Sequence, residues 1–137
     1  MADTLTACTY VEKGGVGKTT CAAHLAIAAA QHHELDVVLL DLAGTQNDLA
    51  TQFGLESNIA DNNRPVSAVF GDNWGMITDA VPNIVEEMTF DTGEGPDLIP
   101  SSEGLDGVES NLTNVPREDR FNILDKFIRD QLADRYD

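Results

Sequence analysis

The sequence predicts an α/β fold, doubly wound on a mostly parallel sheet, and three stretches carry that prediction. Residues 5–11 (LTACTYV) form a short, β-prone, mostly apolar run that ends in glycines. Residues 19–33 (TTCAAHLAIAAAQHH) are Ala-rich, nearly uncharged and long enough for about four helical turns. Residues 36–42 (DVVLLDL) are a continuous apolar run between aspartates, the pattern of a central parallel strand. Strand, glycine loop, helix and strand make a βαβ unit, whose crossover should be right-handed. The Ala-rich helix is expected to be buried on most sides.

The remaining elements follow in order. Residues 47–55 (NDLATQFGL) read as a short helix and 56–65 as loop. Weak helical patterns at 66–70 and 75–87 are broken by Gly71 and Pro82. A short strand is expected at 88–92. Another is expected at 96–100 (PDLIP), stopped by Pro100 and the Ser-Ser-Glu-Gly that follows. Over 117–136, Phe121, Leu124, Phe127, Ile128 and Leu132 recur at helical spacing and predict one core-facing stripe. The chain shows no repeats and no interdomain linker.

Composition excludes several classes. Twenty-four acids against eight bases give a net charge of -16. A free-standing nucleic-acid binder would need a basic face. A hydrophobic content of 42% excludes a disordered acidic tail. No apolar run approaches the roughly 18 residues of a membrane span. The N-terminus is charged at Asp3 and Glu12 and lacks the apolar core of a cleaved leader, so a cytoplasmic location is expected, with association to the nucleoid as an option. Cys8 and Cys21 are expected as reduced thiols in a core. The acid excess lies mainly after residue 55 and is scattered, with only Lys13, Lys18 and Lys126 as lysines. That reads either as a surface adapted to high salt or as an ordinary acidic protein.

The chemistry is concentrated in Lys13-Gly14-Gly15-Val16-Gly17-Lys18-Thr19-Thr20. A phosphate-binding loop needs several backbone N–H groups aimed at one anion, and glycines permit that curl. A helix starting there adds its dipole and its first-turn amides. Lys18 supplies a positive charge for β- and γ-phosphates, and Thr19 a hydroxyl ligand for Mg2+. Against G-x-x-x-x-G-K-[ST], Glu12 replaces the first glycine while Gly17-Lys18-Thr19 fit.

This segment resembles the deviant Walker A box of the ParA/MinD family of P-loop ATPases, K-G-G-x-G-K-[ST]. The resemblance implies ATP and Mg2+ as cofactors, held by Gly14, Gly15, Val16, Gly17, Lys18, Thr19 and Thr20. It makes Lys13 the signature lysine that reaches the partner's phosphates in an ATP-sandwich homodimer, and Lys18 the catalytic P-loop lysine. Residues 37–48 (VVLLDLAGTQND) are similar to the family's second box, D-x-D followed by P-Q-G-N, which places Asp41 near the metal. Leu98-Ile99-Pro100-Ser101 resembles an L-I-P-S strand end, and 107–112 the helix after it.

Two departures stand out. The second aspartate of D-x-D, which in the family positions the attacking water, falls on Ala43. Asp48 is the nearest carboxylate that could substitute; alternatively it caps the 47–55 helix. The family domain is also longer than this chain. Residues 1–137 are therefore expected as the N-terminal half of one incomplete domain, lacking Walker B, with unpaired central strands and exposed apolar surface.

The implied activity is that of a ParA-type partition ATPase, which dimerises around ATP, holds nonspecific DNA through later segments and answers to a ParB-like partner, with no membrane contact. A MinD-like ATPase for division-site placement or metal-cluster delivery is the alternative, and a fragment that only binds phosphate is a third. His24, His32 and His33 lack the companions of a metal site. Trp74 is expected in packing or in a partner contact. Acids interleave with Arg117, Arg120, Arg129 and Arg135 and predict a solvated mixed face.

Overall fold

The structure is a computed structural model that describes residues 3–10, 17–44, 47–60 and 64–137. Its first element is the 16-residue helix α1, Lys18–His33. The short strand β1, Val38–Leu40, follows. Five short helical segments come next: α2 at Asp48–Gln52, α3 at Glu56–Ile59, a 3-10 turn at Val66–Phe70, α4 at Trp74–Ala80 and α5 at Ile84–Met88. Strands β2, Phe90–Asp91, and β3, Asp97–Ile99, form a tight hairpin. The chain then enters a 3-10 turn at Glu103–Gly107 and helix α6 at Val108–Leu112. It finishes in α7 at Arg117–Arg120, α8 at Ile123–Phe127 and a π-turn at Ile128–Leu132.

Among the described residues the sheet has three strands in the order β1-β3-β2. β1 runs parallel to β3 with Leu39 opposite Leu98 and Leu40 opposite Ile99. β2 runs antiparallel to β3, with Phe90 opposite Leu98. The alternation of β3 divides the core in two. Leu98 faces one side with Leu39, Phe90, Ala23 of α1 and Leu49 and Ala50 of α2. Ile99 faces the other with Val66, Val69, Ile84, Val85, Met88, Phe127 and Leu132. Both β3 side chains are 0% exposed. The result is the helix–sheet–helix layering expected of a doubly wound sheet.

Several sequence expectations need correction. The strand expected at 5–11 is not formed over residues 3–10. Leu5 donates its amide to the Asp137 carbonyl, but Leu5 and Tyr10 are 85% and 75% exposed. A strand needs a paired neighbour along its length, and no described strand lies beside this segment. The βαβ unit therefore lacks its first strand among the described residues. Residues 56–59 are helical rather than loop. The apolar stripe of 117–136 is not one helix. It breaks at Phe121-Asn122, where Arg120 turns back to the Val115 and Thr113 carbonyls and Phe121 is left 84% exposed. Helix α1 is covered on one side only: Ala23 and Ala26 are buried, while Leu25 is 62% exposed. Both cysteines are exposed, so neither packs in a core.

Trp74 packs its ring edge on Phe127 at 5.7 Å. Arg129 pairs with Asp125 and Arg135 with Glu86, in keeping with a mixed charged face. The turn at 92–96 supports α1 from below. Gly95 has φ +116°, and a Cβ there would sit 2.8 Å from the Ala30 methyl. Gln31 donates to the Glu94 carbonyl at 2.8 Å beside it. Only glycine fits this close approach.

Candidate nucleotide-binding site

Lys13, Gly14, Gly15 and Val16 lie outside the described residues. From Gly17 onward the site is visible. Gly17 takes φ +88°, a left-handed conformation that strains any residue bearing a Cβ. It turns the chain directly into α1, whose first residues are Lys18, Thr19 and Thr20. The Cys21 amide closes the first turn onto the Gly17 carbonyl at 2.8 Å. No side-chain cap and no acidic residue occupies this turn. Among the described residues, the positive end of this 16-residue helix meets no acidic side chain in its first turn, which suits a phosphate.

Asp41 stands one residue beyond β1. Its amide continues the parallel ladder by donating to the Ile99 carbonyl at 3.0 Å. The side chain is 5% exposed and accepts the Ala43 amide at 3.1 Å. The Leu49 amide also favours its charged form. Burial nevertheless outweighs both amides and, with a smaller push from the Asp48 charge, raises the Asp41 pKa above its ordinary value. A buried carboxylate whose charge its own amides do not fully offset is a fitting neighbour for a cation. Among the described residues no group of three His, Cys, Asp or Glu side chains gathers as a metal centre. Mg2+ keeps waters and phosphate oxygens and needs no such cage.

Asp48 opens α2 and is exposed, and its charge acts on Asp41. It is not the cap: Asn47 holds that position, and its side chain makes no capping bond. Sequence reasoning gave no role to Asn47 or Ser101. Ser101, 5% exposed, donates its hydroxyl to the Gly44 carbonyl and ties the end of β3 to the Asp41 loop. Asn47 adopts φ +46°. Among the described residues, its Oδ1 is the one buried side-chain oxygen without a hydrogen-bond partner. The signal for Ser101 was its place after a buried strand. Asn47 falls within 37–48, the segment that resembles the second box.

Among the histidines, His24 Nδ1 lies 2.7 Å from the Thr20 carbonyl, and His32 and His33 are exposed at the end of α1. No helix among the described residues is long and apolar enough to cross a membrane.

The CbiA family, described as the CobQ/CobB/MinD/ParA nucleotide binding domain, matches residues 9–132. Among solved structures, cobyrinic acid a,c-diamide synthase from Mycobacterium smegmatis with bound ADP and magnesium is 26% identical, with a TM-score of 0.70. The same enzyme with a bound ATP analogue and magnesium is 26% identical, with a TM-score of 0.66. Each alignment covers 93% of this chain and 46% of that one, so the chain spans less than half the length of the structures it matches. Curated protein sequences give no significant match.

Proposed function

Because this chain belongs to the CobQ/CobB/MinD/ParA nucleotide-binding domain family, whose P-loop NTPase fold it shares, we propose that it binds ATP with Mg2+ and hydrolyses it as a ParA-type partition ATPase. The observation that carries the reading is the K-G-G-x-G-K-T run, with Gly17 turning the chain into an uncapped helix end. In this reading the glycine-loop amides and Lys18 hold the β- and γ-phosphates. Thr19 and Asp41 hold the metal, Asp41 through water. Bound Mg2+ neutralises charge that builds on the phosphates during transfer. Lys13 reaches the nucleotide of a second copy, so the triphosphate sets the dimer population and its loss releases the dimer. Asp48 is the carboxylate nearest to replacing the one missing at Ala43. Residues 1–137 form the N-terminal part of the domain, and DNA and a ParB-like partner engage later segments.

Adaptation to high salt belongs to the same reading. A charge of -16 repels itself, so thermal stability should rise as salt is added. Equal stability without salt would count against it.

The decisive experiment measures ATP binding, phosphate release and ATP-dependent dimerisation of the full-length protein, with and without DNA. Slow turnover that DNA and a partner accelerate supports partition. The name of the M. smegmatis structures favours a second reading, ATP-dependent amidation of a carboxylate. Turnover that depends on cobyrinic acid and glutamine would select it instead. Failure to bind ATP would remove both.

A further inference from the structure

A cavity of about 320 Å³ opens at the start of β3. It is lined by Asp91 of β2, Asp97 of β3, Glu86 and Thr89 from α5 and its end, and Arg135 and Tyr136, which follow the π-turn. The volume is within the range of small-molecule sites, about 300–1,000 Å³. The β2–β3 register sets Asp91 directly opposite Asp97. Directly opposed residues share one face of a sheet, so the two carboxylates stand side by side. Phe90 and Leu98, the next pair, turn the other way into the core. Like charges facing each other across a strand pair cost stability unless an opposite charge joins them.

The cavity does not supply that charge itself. Of its lining residues only Arg135 is basic, and its guanidinium pairs with Glu86 at 2.7 Å. Tyr136 donates its hydroxyl to Asp97 Oδ2 at 2.9 Å, and the Gly93 amide donates to Asp91 Oδ1 at 2.7 Å. Both donors are neutral, so they occupy one oxygen of each carboxylate without cancelling charge. Among the described residues no three His, Cys, Asp or Glu side chains gather as a metal centre, which disfavours a bare metal ion. An ammonium group fits the remaining oxygens, because it brings a positive charge and three N–H donors. The cavity is separate from the nucleotide site. β1 and β3 are parallel, and Asp41 and Ser101 lie beyond their far ends, about 13 Å along an extended chain from Asp97.

We propose that this cavity binds an organic ammonium ligand of the diamine or polyamine class, with one ammonium group seated between Asp91 and Asp97. That group answers one of the two negative charges, and the second ammonium of the ligand answers the other.

The test is calorimetric titration of the full-length protein with putrescine at fixed ionic strength. A net charge of -16 attracts any cation, so the control is Asp79→Asn, the same charge change at an exposed position of α4 outside the cavity. Wild type should bind putrescine at one saturable site. Asp91→Asn and Asp97→Asn should each weaken binding about 10-fold or more, the loss of a charged hydrogen bond. Asp79→Asn should change it by less than about 2-fold. Both cavity variants keep an acceptor for the Gly93 amide or the Tyr136 hydroxyl, so the fold has no need to change, and Asp91→Asn alone decides should Asp97→Asn unfold. Absence of saturable binding overturns the proposal. So does an equal loss in Asp79→Asn and Asp91→Asn, which would reduce the effect to diffuse attraction. Either result stands whether or not the protein binds ATP.

Discussion

The Asp41 amide donates to the Ile99 carbonyl at 3.0 Å, so the backbone of the buried carboxylate is part of the sheet. The Ala43 amide in turn holds the carboxylate at 3.1 Å. This rigidity makes its raised pKa consequential. The folded state holds the Asp41 proton more tightly than the unfolded chain, whose value is near 3.8. Stability from this group is therefore present at low pH and lost as pH rises through the folded value. Asp41→Asn has no such loss. Its Tm relative to wild type should climb as pH rises above about 4. Saturating Mg2+ should raise the wild-type Tm and leave that of Asp41→Asn unmoved. A Tm difference that stays flat with pH would disprove the assigned cause.

Lys18 and Lys13 should separate in binding assays. Lys18→Ala should abolish ATP binding by the full-length protein, read by calorimetry. Lys13→Ala should leave monomer affinity intact and lower the ATP-dependent dimer fraction, read by light scattering. Identical losses in the two variants would contradict the division of roles.

Leu98 and Ile99 are both 0% exposed on opposite faces of β3. Truncating either to alanine should cost about 2–5 kcal/mol in chemical unfolding, because each empties a different half of the core. Leu25→Ala on the open side of α1, where the residue is 62% exposed, should shift stability by less than about 0.5 kcal/mol. Equal effects at Leu25 and Leu98 would mean that α1 is covered in solution.

Tyr136 donates its hydroxyl to Asp97 Oδ2 at 2.9 Å. Burial, then the Asp97 carboxylate, holds its phenol above the ordinary value of 10.0. The stabilising contribution is intact below that value and lost as pH climbs beyond it. Wild type should lose stability above about pH 10 in a way that Tyr136→Phe does not. At neutral pH the variant should be weaker by about 1 kcal/mol. Parallel alkaline melting curves for the two proteins would rule the contact out as the cause.

What could be read from sequence depended on whether a segment's signal was local. Helix α1 was legible because its length and alanines need no partner to declare themselves. The strands at 38–40 and 97–99 were legible because both of their faces are apolar. Residues 5–11 carry the same apolar signal, but a strand is completed by its neighbour, and Leu5 and Tyr10 are instead exposed. The break at Phe121 depends on Arg120 reaching back to two carbonyls, a tertiary choice invisible in a periodic pattern. At the site, the glycines and lysines of 13–18 carry the proposed phosphate loop, and an aspartate after a strand carries the proposed role of Asp41. Asn47 was visible only as part of the segment resembling the second box; its buried, unpartnered Oδ1 was not.

The hairpin meets α1 at Gly95. Its bare α-carbon lets the hairpin touch Ala30, about 18 Å along the helix axis from Lys18. A helix is a stiff rod, so this contact works as a fulcrum. A methyl group inserted there would tip the rod and re-aim its far tip. Nucleotide affinity would then be controlled by a position that no ligand ever meets.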